Sequence, residues 1–117
     1  MTDANSQFEA LSMEFTKAQT SMNELLEARS KLETQFQENK IVLEEFDHLN
    51  DDSKIYKLTG PVLMPQDYNE AKMNVTKRIE FIQGEITRVE DKIEKSQTTM
   101  EETRAKLLSV RSQMTAA

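Results

Sequence analysis

Taken in alternating steps of three and four residues, Phe8, Leu11, Phe15, Ala18, Met22, Leu25, Arg29, Leu32, Phe36, Asn39, Leu43 and Phe46 form one continuous series in which only Arg29 and Asn39 are polar. That spacing places them in a single stripe along a helix and is the seam of a coiled coil. The residues between them, among them Glu24, Glu27, Lys31, Glu33 and Glu38, form a solvated face. Ser6 and Glu9 have the spacing of a capping box and predict a first helix from about residue 6; Asn50, Asp51, Asp52 and Ser53 predict its end near 50. A second series runs through Tyr68, Lys72, Val75, Ile79, Ile82, Ile86, Val89, Ile93, Ser96, Met100, Thr103, Leu107, Val110 and Met114, with Lys72, Ser96 and Thr103 as its polar members. Asp67 and Glu70 repeat the capping spacing, so the second helix is predicted over about 67–115.

Between the helices the period changes. Ile55, Tyr56 and Leu58 suit a pleated surface, as do Val62, Leu63 and Met64, and Gly60-Pro61 marks a turn between them. A β-hairpin over about 54–65 follows. Alternation puts Tyr56 and Leu58 on one side and Ile55 on the other, with Val62 and Met64 opposite in direction to Leu63. Apolar side chains on both faces, and the marginal stability of a lone hairpin in water, predict that strands from other chains complete it. The plainer reading is a local cap on a helical hairpin.

Folding the chain about residue 60 sets residue i of the first helix near 121 − i of the second. Arms of forty to fifty residues would extend about 60–75 Å. In that register the apolar residues outside the seams gather at two places: Ile41, Val42, Met73 and Phe81 toward the hairpin, and Met13 with Leu108 toward the free ends, leaving Leu26 alone between. Such patches ordinarily mark protein contacts. Seam residues near the free ends can turn outward as the last turns fray, and Met and Phe adapt to irregular partners. Phe8, Leu11, Met13, Phe15, Leu107, Leu108, Val110 and Met114 therefore either close the end of the coiled coil or form a second candidate contact surface there.

Composition narrows the class. Of 117 residues 37% are hydrophobic and 31% charged, Cys and Trp are absent, and Gly and Pro occur twice each, which suits long helices along a narrow seam rather than a globular core. The net charge of −6 disfavours nucleic acid or an anionic membrane as partner. The expectation is a soluble, intracellular protein without a signal peptide or membrane span. His48 is the one histidine, the serines have no partner base at a recognisable spacing, and Gly60 and Gly84 stand alone rather than in a phosphate loop. These observations predict no enzymatic activity, no cofactor and no metal.

The succession of long helix, DDSKIYKLTGPVLMPQD and long helix resembles a β-type subunit of prefoldin over the whole chain, 1–117 as one domain. The most specific part of the likeness is Ile55–Leu58, then Gly60-Pro61-Val62-Leu63, then the capped helix start at Asp67. The resemblance implies a mainly α fold, two helices in an antiparallel coiled coil whose hairpin completes an intersubunit β-barrel. It further implies a heterohexamer with two α-type and further β-type subunits. Such a complex holds unfolded proteins, actin and tubulin among them, at the coiled-coil tips and delivers them in the cytoplasm to the cytosolic chaperonin without ATP hydrolysis. A structural coiled-coil adaptor that dimerises through its helices is the alternative.

Overall fold

The computed structural model describes residues 3–50 and 52–116, so Asp51 of the predicted helix stop lies outside the described residues. Its elements are, in order, α1 (Ala4–Asp47), β1 (Ile55–Thr59), β2 (Val62–Gln66) and α2 (Tyr68–Ala116). The fold is mainly helical, with the two helices joined by a short antiparallel hairpin.

Helix boundaries follow side-chain chemistry more closely than the spacing rules alone. α1 begins two residues before the predicted Ser6, because Asp3 is the cap: its Oδ1 accepts the Ser6 amide at 2.7 Å and its carbonyl accepts the Gln7 amide at 3.1 Å. Asp and Ser are both good caps, and here the Asp3 side chain takes the position. The other end of α1 comes at Asp47, short of 50, where Asn50 and Ser53 close a compact turn. Asn50 Oδ1 accepts the Asp52 amide at 3.0 Å, the Ser53 amide reaches the Asn50 carbonyl at 2.9 Å, and Ser53 Oγ accepts the Asn50 amide at 3.1 Å. Such local bonds compete with helical ones, so the helix stops before them. At α2 the prediction holds: Asp67 Oδ2 accepts the Glu70 amide at 3.0 Å and its carbonyl accepts the Ala71 amide at 2.9 Å.

Two compact units divide the chain. One comprises Met1–Arg29 with Arg88–Ala117, the other Ser30–Thr87. In each, the residues of both predicted seams are buried or half-buried, while the intervening charged residues other than the half-buried Glu85 are exposed. Met22, Ile93 and Val110 are buried in the first unit, and Phe46, Ala71, Val75 and Ile82 in the second. Each Met, Val, Ile or Phe side chain among these taken from water contributes about 1.5–3 kcal/mol before ordering costs, so the seam and not helix propensity holds these helices.

Three polar members of the seam have identified partners. Thr103, 3% exposed, donates to the Thr99 carbonyl at 2.9 Å. Asn39 donates to the Gln35 carbonyl at 2.7 Å and accepts from Arg78 at 3.4 Å, and Lys72 pairs with Asp47 at 3.6 Å. These cross-helix contacts fall short of the mirror register, with Asn39 meeting Arg78 rather than 82 and Asp47 meeting Lys72 rather than 74. The cause is an asymmetric linker: residues 48–54 precede β1, whereas Asp67 alone follows β2, so the helices pair out of step with the hairpin, whose turn stays at Gly60-Pro61.

Candidate interaction surfaces

The hairpin grows from a small core. Phe46, Ala71 and Val75 are buried together, with Leu43, Ile55, Tyr68 and Ile79 packed around them. The Tyr68 hydroxyl donates to the Phe46 carbonyl at 2.6 Å, satisfying one of the last acceptors of α1, and the two rings meet edge to face with centroids 5.5 Å apart. Ile55 thus ties the base of β1 to both helices.

Above that base the strands pair in the register Ile55–Gln66, Tyr56–Pro65, Lys57–Met64, Leu58–Leu63 and Thr59–Val62. β2 is longer than the predicted Val62–Met64 run and includes Pro65. Gly60 and Pro61 form the two-residue loop; Gly60 has φ of 61°, and Pro61 is confined to negative φ. Positive φ at only the first central residue is the pattern of a type II′ turn, whose twist matches that of the strands. The faces are unequal. Tyr56, Leu58, Leu63 and Pro65 share one that is wholly apolar, whereas Val62 and Met64 share theirs with Ile55, Lys57, Thr59 and Gln66. Tyr56, Leu58, Val62, Leu63 and Met64 are all exposed, as are Gly60 and Pro61.

The candidate residues near the free ends divide into two groups. Met13, 74% exposed, and Leu108, 57% exposed, stand on the surface. Phe8, Leu11, Phe15, Leu107 and Met114 are half-buried in the seam, and Val110 is buried. Gln7, Ala10 and Leu11 of α1 and Lys106, Ser109 and Val110 of α2 line a shallow groove of about 350 Å³. A second, of about 440 Å³, has Phe15, Met22, Leu26 and Met100 in its walls. The remaining exposed apolar residues are those expected outside the seam, Ile41, Val42, Met73, Phe81 and Leu26, joined by Leu49. Leu49 was not singled out by the periodicity because it lies beyond the end of α1 and its seam.

His48 is exposed, its amide bonded to the Glu45 carbonyl at 3.1 Å. Among the described residues no group of three or more His, Cys, Asp or Glu side chains is arranged to hold a metal ion, and no helix is long and apolar enough to cross a membrane.

Two long seam-forming helices joined by one hairpin with exposed apolar strands define a mainly helical, coiled-coil class of protein. Residues 9–112 match the sequence family described as prefoldin subunit. The chain is 49% identical over 100 residues to prefoldin subunit 6 of Saccharomyces cerevisiae, covering 86% of this chain and 88% of that one. It is 41% identical over 86 residues to probable prefoldin subunit 6 of Drosophila melanogaster, covering 74% and 69%. The crystal structure of the prefoldin beta subunit from Thermococcus strain KS-1 superposes with a TM-score of 0.83 at 21% identity, over 93% of this chain and 96% of that one. This chain belongs to the prefoldin subunit family. Within that family it is most like subunit 6, the paralogue to which Asn39-Lys40-Ile41-Val42, Glu44-Glu45 and the GPVL run also point by resemblance.

Proposed function

We propose that the chain is a β-type subunit of a cytoplasmic heterohexamer, assembled with two α-type and further β-type subunits, that acts as a non-enzymatic, ATP-independent co-chaperone. Its hairpin joins an intersubunit β-barrel, and the free ends of its helices hold unfolded proteins, actin and tubulin among them, for delivery to the cytosolic chaperonin. One observation supports both roles: the large apolar side chains left exposed are concentrated on and near the hairpin and, as Met13 and Leu108, toward the free ends. A strand edge with apolar faces suits a fixed partner. Met13 and Leu108 at a fraying end suit client chains of no fixed shape, and several weak ends acting together supply avidity that still permits release.

The test is reconstitution of the hexamer with Met1–Phe15 and Leu107–Ala117 deleted and the partner tips trimmed to match. The trimmed complex should assemble but no longer suppress aggregation of a denatured client such as actin. A complex trimmed on all six subunits that protects the client as well as the intact one would move the binding surface away from the free ends.

A further inference from the structure

Sulfur in this chain is confined to methionine, since cysteine is absent. A thioether is soft and polarisable, and how readily an oxidant reaches it follows from its exposure. The methionines among the described residues fall into two groups. Met22 is 8% exposed and Met100 and Met114 are half-buried in the seam, whereas Met13, Met64 and Met73 are exposed. Met64 belongs to β2 and Met73 to the start of α2, so both lie at the hairpin end of the sequence. Met13 lies toward the free ends, outside the assembly contacts proposed above, and at 74% it is the most exposed large hydrophobic side chain among the described residues.

The surroundings of Met13 suit a sulfur that changes polarity. Ser12, Glu14, Thr16 and Lys17 line a shallow depression of about 680 Å³ with it, and Met13 is the one apolar residue of that lining. Lys17 follows Met13 by four residues within α1, so the two share a helix face, and a long helical side chain leans back over the turn before it. An oxygen added to the sulfur would therefore come within reach of an ammonium donor. Leu11 and Phe15, half-buried on the seam, hold this stretch of α1, so a polar group at position 13 leaves the packing in place. The same change at buried Met22 would force an unpaired dipole into the seam.

We propose that Met13 is a reversible oxidation site through which hydrogen peroxide weakens the hold of the free end on unfolded chains. The Met13 sulfur attacks one peroxide oxygen; the S–O bond forms as the O–O bond breaks, the sulfur gives up two electrons, and the departing hydroxide takes the proton of the transferred hydroxyl and leaves as water. The product is a sulfoxide, polar where the thioether was apolar, so the surface that Met13 offers with Leu108 loses its most exposed apolar member. Methionine sulfoxide reductases reverse the change. The proposal rests on the reading that the free ends hold unfolded chains and adds a regulation of that surface.

Hexamers reconstituted from full-length subunits, with the native chain or with Met13→Leu, are treated with hydrogen peroxide, cleared of it with catalase and mapped by peptide mass. Met13 should gain one oxygen about fivefold faster than Met22 or more. Each hexamer is then compared with its own untreated form by the concentration that half-protects denatured actin from aggregation. Oxidation should raise that concentration about threefold for the native chain, by removing one contributor to a multivalent hold, and much less for Met13→Leu. Methionine sulfoxide reductases of both epimer specificities should restore the native value. Equal oxidation rates at Met13 and Met22 overturn the site; an equal loss in both hexamers, or complete oxidation of Met13 with protection unchanged, overturns the switch. The hexamer trimmed at all its free ends separates this failure from that of the underlying reading: protection that survives trimming overturns client binding at the free ends, whereas protection lost on trimming but kept on oxidation overturns the role of Met13 alone.

Discussion

Gly60 and Gly84 are the two glycines of the chain, and an added Cβ meets nothing within 4 Å at either, yet substitution should act in opposite directions. Gly60 has φ of 61°, where an L side chain crowds its own carbonyl, so Gly60→Ala should cost about 1–2 kcal/mol and disturb the turn. Gly84 lies within α2 at an exposed position, so Gly84→Ala should stabilise by about 0.5–1 kcal/mol. Chemical denaturation of the two variants measures both signs, and destabilisation by Gly84→Ala would show that a neighbour in the assembly needs the bare backbone. Asp3 provides a pH test. Its bond from the Ser6 amide, aided by the Ser6 side chain, holds the carboxyl below the ordinary value of 3.8. A group with a lowered folded pKa stabilises fully above its ordinary value and loses that contribution as the pH falls through the lowered one. The Ser6 amide signal should therefore titrate with a midpoint below 3.8 in the native chain. Asp3→Asn, which caps without titrating, should abolish that transition.

Each helix carries a stripe whose few polar members are accommodated rather than expelled. Thr103 returns its hydroxyl to its own helix, and Asn39 and Lys72 reach across to the other. Arg29 is half-buried at a seam position and is not without a partner. Polar residues at such positions select alignment more than they stabilise, and pairs near solvent are worth less than about 1 kcal/mol. Arg29→Leu should leave the melting temperature unchanged or raised, while loosening helix register as read by disulfide cross-linking between engineered cysteine pairs. A large drop in melting temperature would instead assign Arg29 a structural bond that leucine cannot replace. The stripes themselves were legible before any coordinates, because a side chain every three or four residues has only one surface to bury. Helix ends were less legible: Asp3 and Ser6 are both good caps, and choosing between them depends on how far the chain can wind before packing stops rewarding it.

At the scale of the whole molecule, the hairpin is a two-stranded sheet that leaves large apolar side chains exposed on both strands. Replacing Tyr56 and Leu58 together by Asp puts two charges on the wholly apolar face, where burial without a partner is prohibitive. The double variant should be excluded from the hexamer, as seen by native mass measurement, while far-ultraviolet circular dichroism of the isolated chain retains its helical signal. Normal incorporation would place the assembly contacts on the helices, with Ile41, Val42, Met73 and Phe81 as the next surface to change.

Composition and period determined two helices, a single hairpin and the apolar residues left outside both seams, since these depend on side-chain spacing along one chain. The tertiary structure decided what spacing leaves open. It shifted the helix register relative to the hairpin because the linker is longer on one side, paired Phe46 with Tyr68 at the base of the hairpin, and extended β2 through Pro65. It also divided the candidate residues near the free ends into exposed Met13 and Leu108 and a buried Val110. A stripe tells which residues want burial, but how much each obtains depends on what the other helix brings opposite, and that is a property of the packed pair.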